Sequence, residues 1–139
     1  MPKDLHNIHQ DLMDLAFYFN NNCCQGDSCN EFSLLEFKAL RYIERNPCCP
    51  VQAIGETLNI SKSGATRLVN RMIKREIIER TICDEDARIR LLKISPCGQQ
   101  CLNAVNQFQS ERMSQLLARV EGIDACDVKK VLSALVKAI

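Results

Sequence analysis

Two short helical segments joined by a brief turn are the pattern that most constrains how this chain can fold. Pro50 opens the first segment, Val51 to Leu58, because a proline at the start of a helix loses no hydrogen bond. Asn59 and Ile60 form the turn, and Ser61 is placed to cap the second segment. This stretch therefore predicts a helix–turn–helix at the centre of the fold.

The second helix of the pair, from Ser61 to about Arg75, has two different faces. Its apolar residues recur at helical spacing and predict a side that points inward. The opposite side carries hydroxyls, an amide and guanidinium groups, which can hydrogen-bond base edges and phosphates. The inward residues are Ala65, Leu68, Val69, Met72 and Ile73, and the outward residues are Lys62, Ser63, Thr66, Arg67, Asn70 and Arg71.

The residues before this pair predict two more helices. Apolar residues at helical spacing run from Leu5 to Phe19, and a polar loop follows. Ser33 and Glu36 form a capping box for a second helix, which we expect to end at Arg45, before Asn46-Pro47. Cys48-Cys49 lies on a connector that we expect to pair with a later strand, with one of the two thiols in the core.

The residues after the pair predict a β-hairpin and then two helices. Ile77–Ile82 and Arg88–Ile94 are patterned as strands around a polar tip, Cys83 to Ala87. Ser95-Pro96 opens a long helix that Gly122 interrupts. A last helix starts at Asp124, and we expect it to turn an apolar side inward, formed by Val128, Val131, Leu132 and Leu135.

The predicted fold class is mainly α with a small β-hairpin wing, a winged helix–turn–helix flanked by N- and C-terminal helices. We expect a single domain over residues 1–139, with a winged-helix lobe at 30–95 and flanking helices at 1–22 and 96–139. The 46% of apolar residues is ordinary for a globular chain. The apolar runs are too short to cross a bilayer and no signal pattern opens the chain, so we expect a cytoplasmic protein with no membrane partner.

Positive charge is concentrated where the helix–turn–helix meets the hairpin. Nine of the 18 lysine and arginine residues lie within residues 61–93, as a phosphate-facing surface requires. Arg88 and Arg90 follow the acidic hairpin tip, where an extended arm can insert Arg88 into a minor groove and Asp86 can orient its guanidinium. Ser61 and the first helical amides form a site for a phosphate oxygen. The alternatives are a solvated helix face and an ordinary surface salt bridge.

Combined in this order and spacing, three stretches resemble the MarR family of transcriptional regulators over nearly the whole chain. They are Asn59–Arg71, the wing residues Asp86–Arg88, and Ile94–Gly98, which is similar to the Leu-Thr-x-x-Gly that opens the family's fifth helix. The resemblance implies a homodimer held by helices 1, 5 and 6, with two recognition helices on a pseudo-palindromic duplex. Residues 30–95 would then be the DNA-binding lobe, and the flanking helices at 1–22 and 96–139 would be dimerisation helices. The resemblance also implies Arg88 as the minor-groove residue. Arg-Glu-Ile-Ile at 75–78 departs from the family's usual Lys-Gly-Leu-Val turn, which can alter the geometry at the start of the wing.

Nine cysteines are unusual in a chain that carries no secretion signal. An odd number argues against a disulfide framework and in favour of thiol, redox or metal chemistry. Cys23, Cys24 and Cys29 share one loop, while Cys97 and Cys101 are spaced to lie on one helix face and suit two ligands of one ion or cluster. Such ligands favour zinc or an iron–sulfur cluster. A thiol redox switch and inert cysteines remain open alternatives.

These observations predict a sequence-specific DNA-binding regulator, a repressor, whose DNA affinity is controlled by a cysteine-based metal, iron–sulfur or redox signal. One alternative is the same kind of regulator sensing a small organic ligand, with structural cysteines. Another is a winged-helix module that binds protein rather than nucleic acid. Enzymatic activity is not expected, because the sequence has no phosphate-cradling glycine loop, no metalloprotease helix and no clear nucleophile–base pair.

Overall fold

A computed structural model describes residues 3–20 and 32–139. Within these ranges the chain forms helices and short strands, which confirms the mainly helical fold class with its small hairpin wing. The chain divides into two compact units, residues 1–105 and 106–139, with the division inside the fifth helix. The elements are α1 (Lys3–Asn20), α2 (Leu34–Arg45), β1 (Cys49–Pro50), α3 (Val51–Leu58), α4 (Lys62–Lys74), β2 (Ile78–Ile82), β3 (Arg90–Ile94), α5 (Pro96–Leu117) and α6 (Ala125–Lys137).

Three short strands form one antiparallel sheet in the order β1-β3-β2. The hairpin of β2 and β3 pairs Ile78 with Ile94, and β1 adds to the other side of β3 by pairing Cys49 with Leu92. The expected pairing of the connector with the wing is therefore confirmed. Cys49 is buried and Cys48 is exposed, so one thiol of the pair lies in the core, as predicted.

The core lies where α2, α3, α4, the sheet and the start of α5 pack together. Each element contributes large apolar side chains that are almost fully buried, and this burial is the main force that holds the winged helix together. The largest of these side chains are Leu40, Ile43, Ile54, Val69, Met72, Ile78, Leu92 and Leu102.

The apolar face of α6 is exposed, which corrects the expectation that it turns inward. Val131, Leu132 and Leu135 are 58%, 42% and 57% exposed, and no residue of α6 is buried. The described residues of α1 are likewise not buried. Helical spacing shows which residues share a face, but only a second layer can cover that face. No helix among residues 3–20 and 32–139 is long and apolar enough to cross a membrane.

Candidate nucleic-acid interface

The turn between α3 and α4 has the local geometry that a tight helix–turn–helix needs. Asn59 ends α3 in the left-handed region, with φ of 53°. The amide of Gly64 donates to the Ser61 side chain at 3.0 Å, so Ser61 is the cap that the sequence predicts. A Cβ on Gly55 would lie 3.4 Å from the Cβ of Ala65, an ordinary van der Waals distance, so α3 and α4 are in direct contact at this point.

The two faces of α4 separate in the structure as the sequence pattern predicts. Leu68, Val69 and Met72 are at most 3% exposed and face the core. The opposite face is exposed and carries Lys62, Ser63, Thr66, Arg67, Asn70 and Arg71. The packing of one face therefore fixes which side chains the helix presents to solvent.

Several polar side chains on this exposed face are already held in place. Thr66 Oγ1 donates to the carbonyl of Lys62 at 3.0 Å, and Asn70 Oδ1 accepts from Arg80 Nη2 of β2 at 2.5 Å. In the part of the chain that the structure describes, the side chains of Lys62 and Arg67 form no hydrogen bond or ion pair. These two cations are available for an anionic ligand.

A buried carboxylate on α2 binds the C-terminal half of α4, and the sequence analysis missed it. Glu36 is 3% exposed, and its Oε1 accepts from Arg71 Nε at 3.0 Å while Oε2 accepts from Arg75 Nη1 at 2.9 Å. Burial alone would raise the pKa of the Glu36 carboxyl. The Ser33 amide and the two guanidinium groups outweigh burial, so this pKa lies below its ordinary value of 4.5.

The Glu36 contacts could not be read from local spacing. The capping box correctly placed Glu36 beside the amide of Ser33, which donates to Oε2 at 3.0 Å. The arginines, however, are 35 and 39 residues away along the chain. The only available signal was the spacing of Arg71 and Arg75, which puts both on one side of a helix.

The wing places Arg88 in a turn, although the sequence pattern predicts that it starts a strand. The backbone amide of Arg88 donates to Asp86 Oδ1 at 2.9 Å, and the amide of Ile89 donates to the Asp86 carbonyl at 3.0 Å. These local bonds close a turn, so β3 begins only at Arg90. Asp86 therefore holds the backbone of Arg88; among the described residues it makes no bond to the guanidinium. Arg90 Nη1 donates to the carbonyl of Ala87 at 2.8 Å.

The start of the wing differs from a glycine turn, as residues 75–78 suggested. Glu76 has φ of 60°, the left-handed region that favours glycine. Its amide donates to the carbonyl of Ile73, and the amide of Ile77 donates to that of Met72, which is the Schellman pattern of a helix end. The chain thus makes the expected turn with a glutamate in the position that glycine prefers.

The first turn of α5 is joined directly to this helix end. Ser95 Oγ donates to the Glu76 carbonyl at 2.6 Å and accepts from the amide of Gly98 at 2.9 Å. A Cβ on Gly98 would lie 1.9 Å from the carbonyl oxygen of Ile77. Only glycine allows α5 to approach the backbone of the wing so closely.

The cysteines predicted as ligands are separated by burial or lie where the structure gives no description. Cys23, Cys24 and Cys29 lie outside the described residues. Cys97 is exposed, whereas Cys101 is 1% exposed and belongs to the core cluster. Among residues 3–20 and 32–139 no group of three or more His, Cys, Asp or Glu side chains could hold a metal ion.

The sequence of the winged helix matches a known family. The model of the MarR family matches residues 32–89, which run from the residue before the α2 cap to the tip of the wing. The winged helix is therefore similar in sequence to that of the MarR family. No curated protein matches the sequence significantly.

Several solved structures share the fold over almost the whole chain. The FabT protein of Streptococcus pneumoniae, in complex with DNA, is 13% identical with a TM-score of 0.75, covering 98% of this chain and 93% of FabT. The Multiple Antibiotic Resistance Repressor MarR is 20% identical with a TM-score of 0.71, covering 96% and 93%. RV1404 from Mycobacterium tuberculosis is 14% identical with a TM-score of 0.81, covering 99% and 94%. At these identities the likeness shows the fold.

Proposed function

We propose that this chain is a sequence-specific DNA-binding transcriptional repressor of the MarR type. The observation that carries the proposal is α4, because one face is fixed in the core while the other presents Ser63, Thr66 and Arg67. A helix of this kind fits the major groove, where Arg can bond guanine through two hydrogen bonds. The FabT structure, which is similar in fold, contains DNA.

The same surface offers phosphate and minor-groove contacts beside the base contacts. Lys62 and the first amides of α4 are placed for a phosphate oxygen at the positive end of the helix. Arg88 lies in the turn at the wing tip, where a guanidinium can enter a narrow minor groove. Arg71 on α4 and Arg90 on β3 are further exposed cations.

We propose that the protein acts as a homodimer, with a second copy covering the apolar faces of α1 and α6. Leu5, Ile8 and Leu12 of α1 are 51%, 58% and 46% exposed, and the α6 residues are exposed to a similar degree. A monomeric soluble domain rarely leaves so many neighbouring apolar side chains in water. Two-fold symmetry would place the two α4 helices on half-sites about 34–36 Å apart.

Selection of duplexes from a random library tests this function. The wild-type protein is expected to enrich a pseudo-palindromic sequence with half-sites one helical turn apart. Arg88→Ala should weaken binding to that duplex about tenfold at one fixed salt concentration, whereas Lys38→Ala, which removes an exposed charge on α2, should leave it unchanged. Failure to bind any duplex at low salt would contradict the proposal and favour a protein-binding module.

We also propose that a cysteine-based metal, iron–sulfur or redox signal controls the DNA affinity. Cys97 supports this, because it is exposed and adjoins Gly98, whose turn is bonded through Ser95 to the end of α4. Metal binding or oxidation at this thiol would therefore take place next to the Ser95 hydrogen bonds that join the start of α5 to the end of α4. The signal works only if the two states of the protein differ in DNA affinity.

Elemental analysis and matched serine variants test the signal. Anaerobically purified protein should contain iron and sulfide, or zinc, or should lose affinity for the selected duplex on mild oxidation. Cys97→Ser should abolish the response, and Cys126→Ser, which changes an exposed thiol on α6, should preserve it. Absence of metal together with equal affinity of the reduced and oxidised protein would refute this control. A response of the Cys97→Ser variant to an organic ligand would favour the small-molecule alternative.

A further inference from the structure

Glu36 connects the start of α2 to the recognition helix through two charged hydrogen bonds. Its two carboxylate oxygens are divided between Arg71 and Arg75, at 3.0 and 2.9 Å. Arg75 also lies over the ring of Phe32, with its guanidinium carbon 4.9 Å from the ring centroid. Charge-assisted bonds of this kind are shorter and more directional than neutral ones.

Two attachments one turn apart restrict how α4 can rotate about its own axis. Arg71 and Arg75 are spaced by four residues, so they lie above one another on the same side of the helix. Because one carboxylate holds both, a large rotation of α4 would break at least one of the two bonds. Arg67 lies one turn before Arg71 on the same helix, so its direction depends on the same restraint.

From this geometry we propose that Glu36 is a positioning residue for DNA readout, a proposal that rests on the proposed function. Together with the packed face of α4, Glu36 restrains the angle at which the helix presents Thr66, Arg67 and Asn70 to base edges. It also directs Arg71, because the bond uses Nε and the side chain remains 56% exposed. The two Nη groups of Arg71 can then donate to a phosphate.

Because Glu36 is negatively charged, an experiment can distinguish its positioning of α4 from its electrostatic repulsion of DNA phosphates. A carboxylate beside a DNA-facing helix repels phosphates, so its removal should strengthen non-specific binding. If Glu36 positions the helix, the same removal should weaken recognition of the selected sequence. Positioning and charge therefore predict opposite changes for the specific duplex.

The test compares Glu36→Gln with Glu44→Gln, which makes the same charge change at the exposed end of the same helix. Dissociation constants are measured for the selected duplex and for a random duplex at one salt concentration. Glu36→Gln is expected to lower the ratio of specific to random affinity about tenfold without weakening random binding, and Glu44→Gln should keep the wild-type ratio. An unchanged ratio in Glu36→Gln would overturn the proposal.

A second variant separates positioning from the capping role of Glu36. Ser33→Ala removes the hydroxyl that accepts from the Glu36 amide at 3.1 Å but leaves both arginine contacts in place. It should lower the melting temperature and keep the specificity ratio of the wild type. If Ser33→Ala reproduces the loss of specificity, the effect comes from the end of α2 and the proposal is wrong. If the wild type itself selects no sequence, the proposed function fails first, and that result is recognised before any variant is compared.

Discussion

α4 and α6 are helices of equal length, 13 residues each, and both have an apolar face, yet they meet different surroundings. α4 buries Ala65, Leu68, Val69 and Met72 among α2, α3 and the sheet. α6 buries no residue, although Val131 and Leu135 lie one turn apart on its apolar face, as Leu68 and Met72 do on α4. An amphipathic pattern therefore predicts which residues form an apolar face, but it does not predict which element packs against that face.

If the homodimer proposed above forms, this difference separates the stability that a single chain provides from the stability that a second copy adds. The winged helix has its own core and should remain folded at any concentration. In the proposed homodimer the apolar faces of α1 and α6 are covered only on association, so their contribution should depend on protein concentration.

The largest expected effect is that of Gly98→Ala, which tests how tightly α5 is joined to the winged helix. The added Cβ would lie 1.9 Å from the Ile77 carbonyl oxygen, so the backbone of the wing or of α5 must move. We expect a loss of more than about 4 kcal/mol in the free energy of unfolding, measured by urea denaturation. Gly55→Ala is the control, since its Cβ meets only ordinary contacts at 3.4 and 3.5 Å. A stable Gly98→Ala protein would show that this contact is not tight.

Leu68→Ala and Leu135→Ala compare the two helices directly. Leu68 is 3% exposed, and its truncation should cost about 2–5 kcal/mol at every protein concentration. Leu135 is 57% exposed in the single chain, so its truncation should instead raise the dissociation constant of the dimer by about tenfold or more. Sedimentation and denaturation across a concentration series measure both. If Leu135→Ala lost as much free energy of unfolding as Leu68→Ala, independently of protein concentration, the proposed difference between α4 and α6 would be wrong.

The pH dependence of stability should reveal the Glu36 ion pairs, which lie within the winged helix of a single chain. The folded state holds the pKa of Glu36 below 4.5, so its contribution is present above that pH and is lost as the pH falls through the folded value. Glu36→Gln should be less stable than the wild type at neutral pH, and the gap should narrow on acidification. Denaturant midpoints across this pH range test the expectation, and a gap that widens in acid would refute it.

Glu76→Gly should give the smallest effect, and it should stabilise. A left-handed non-glycine residue costs about 1–2 kcal/mol, and glycine recovers this at an entropic cost of roughly 0.5–1 kcal/mol. The net gain should be about 0.5 kcal/mol, seen as a small rise in melting temperature. Glu76→Ala should bring no such gain, because alanine has the same difficulty at φ of 60°.

The parts of the fold that depend on local spacing were predictable from the sequence, and the parts that depend on distant contacts were not. Capping residues such as Ser33 and Ser61 correctly marked the helix starts. The pairing of Glu36 with Arg71 joins residues 35 apart, and no local pattern encodes it. Arg88 was misplaced because two hydrogen bonds of Asp86 to the backbone override strand alternation. The ligand role of the cysteines stays a prediction.

Binding of the selected duplex by Arg67→Ala tests the central claim most directly. Arg67 is exposed in the middle of α4 and contributes nothing to the core, so its removal should leave the fold and the dimer unchanged. The account predicts that affinity for the selected duplex falls about tenfold to a hundredfold, with a smaller loss for a random duplex and none for Lys38→Ala. Equal affinity of wild type and Arg67→Ala for the selected duplex would contradict the claim that α4 reads DNA.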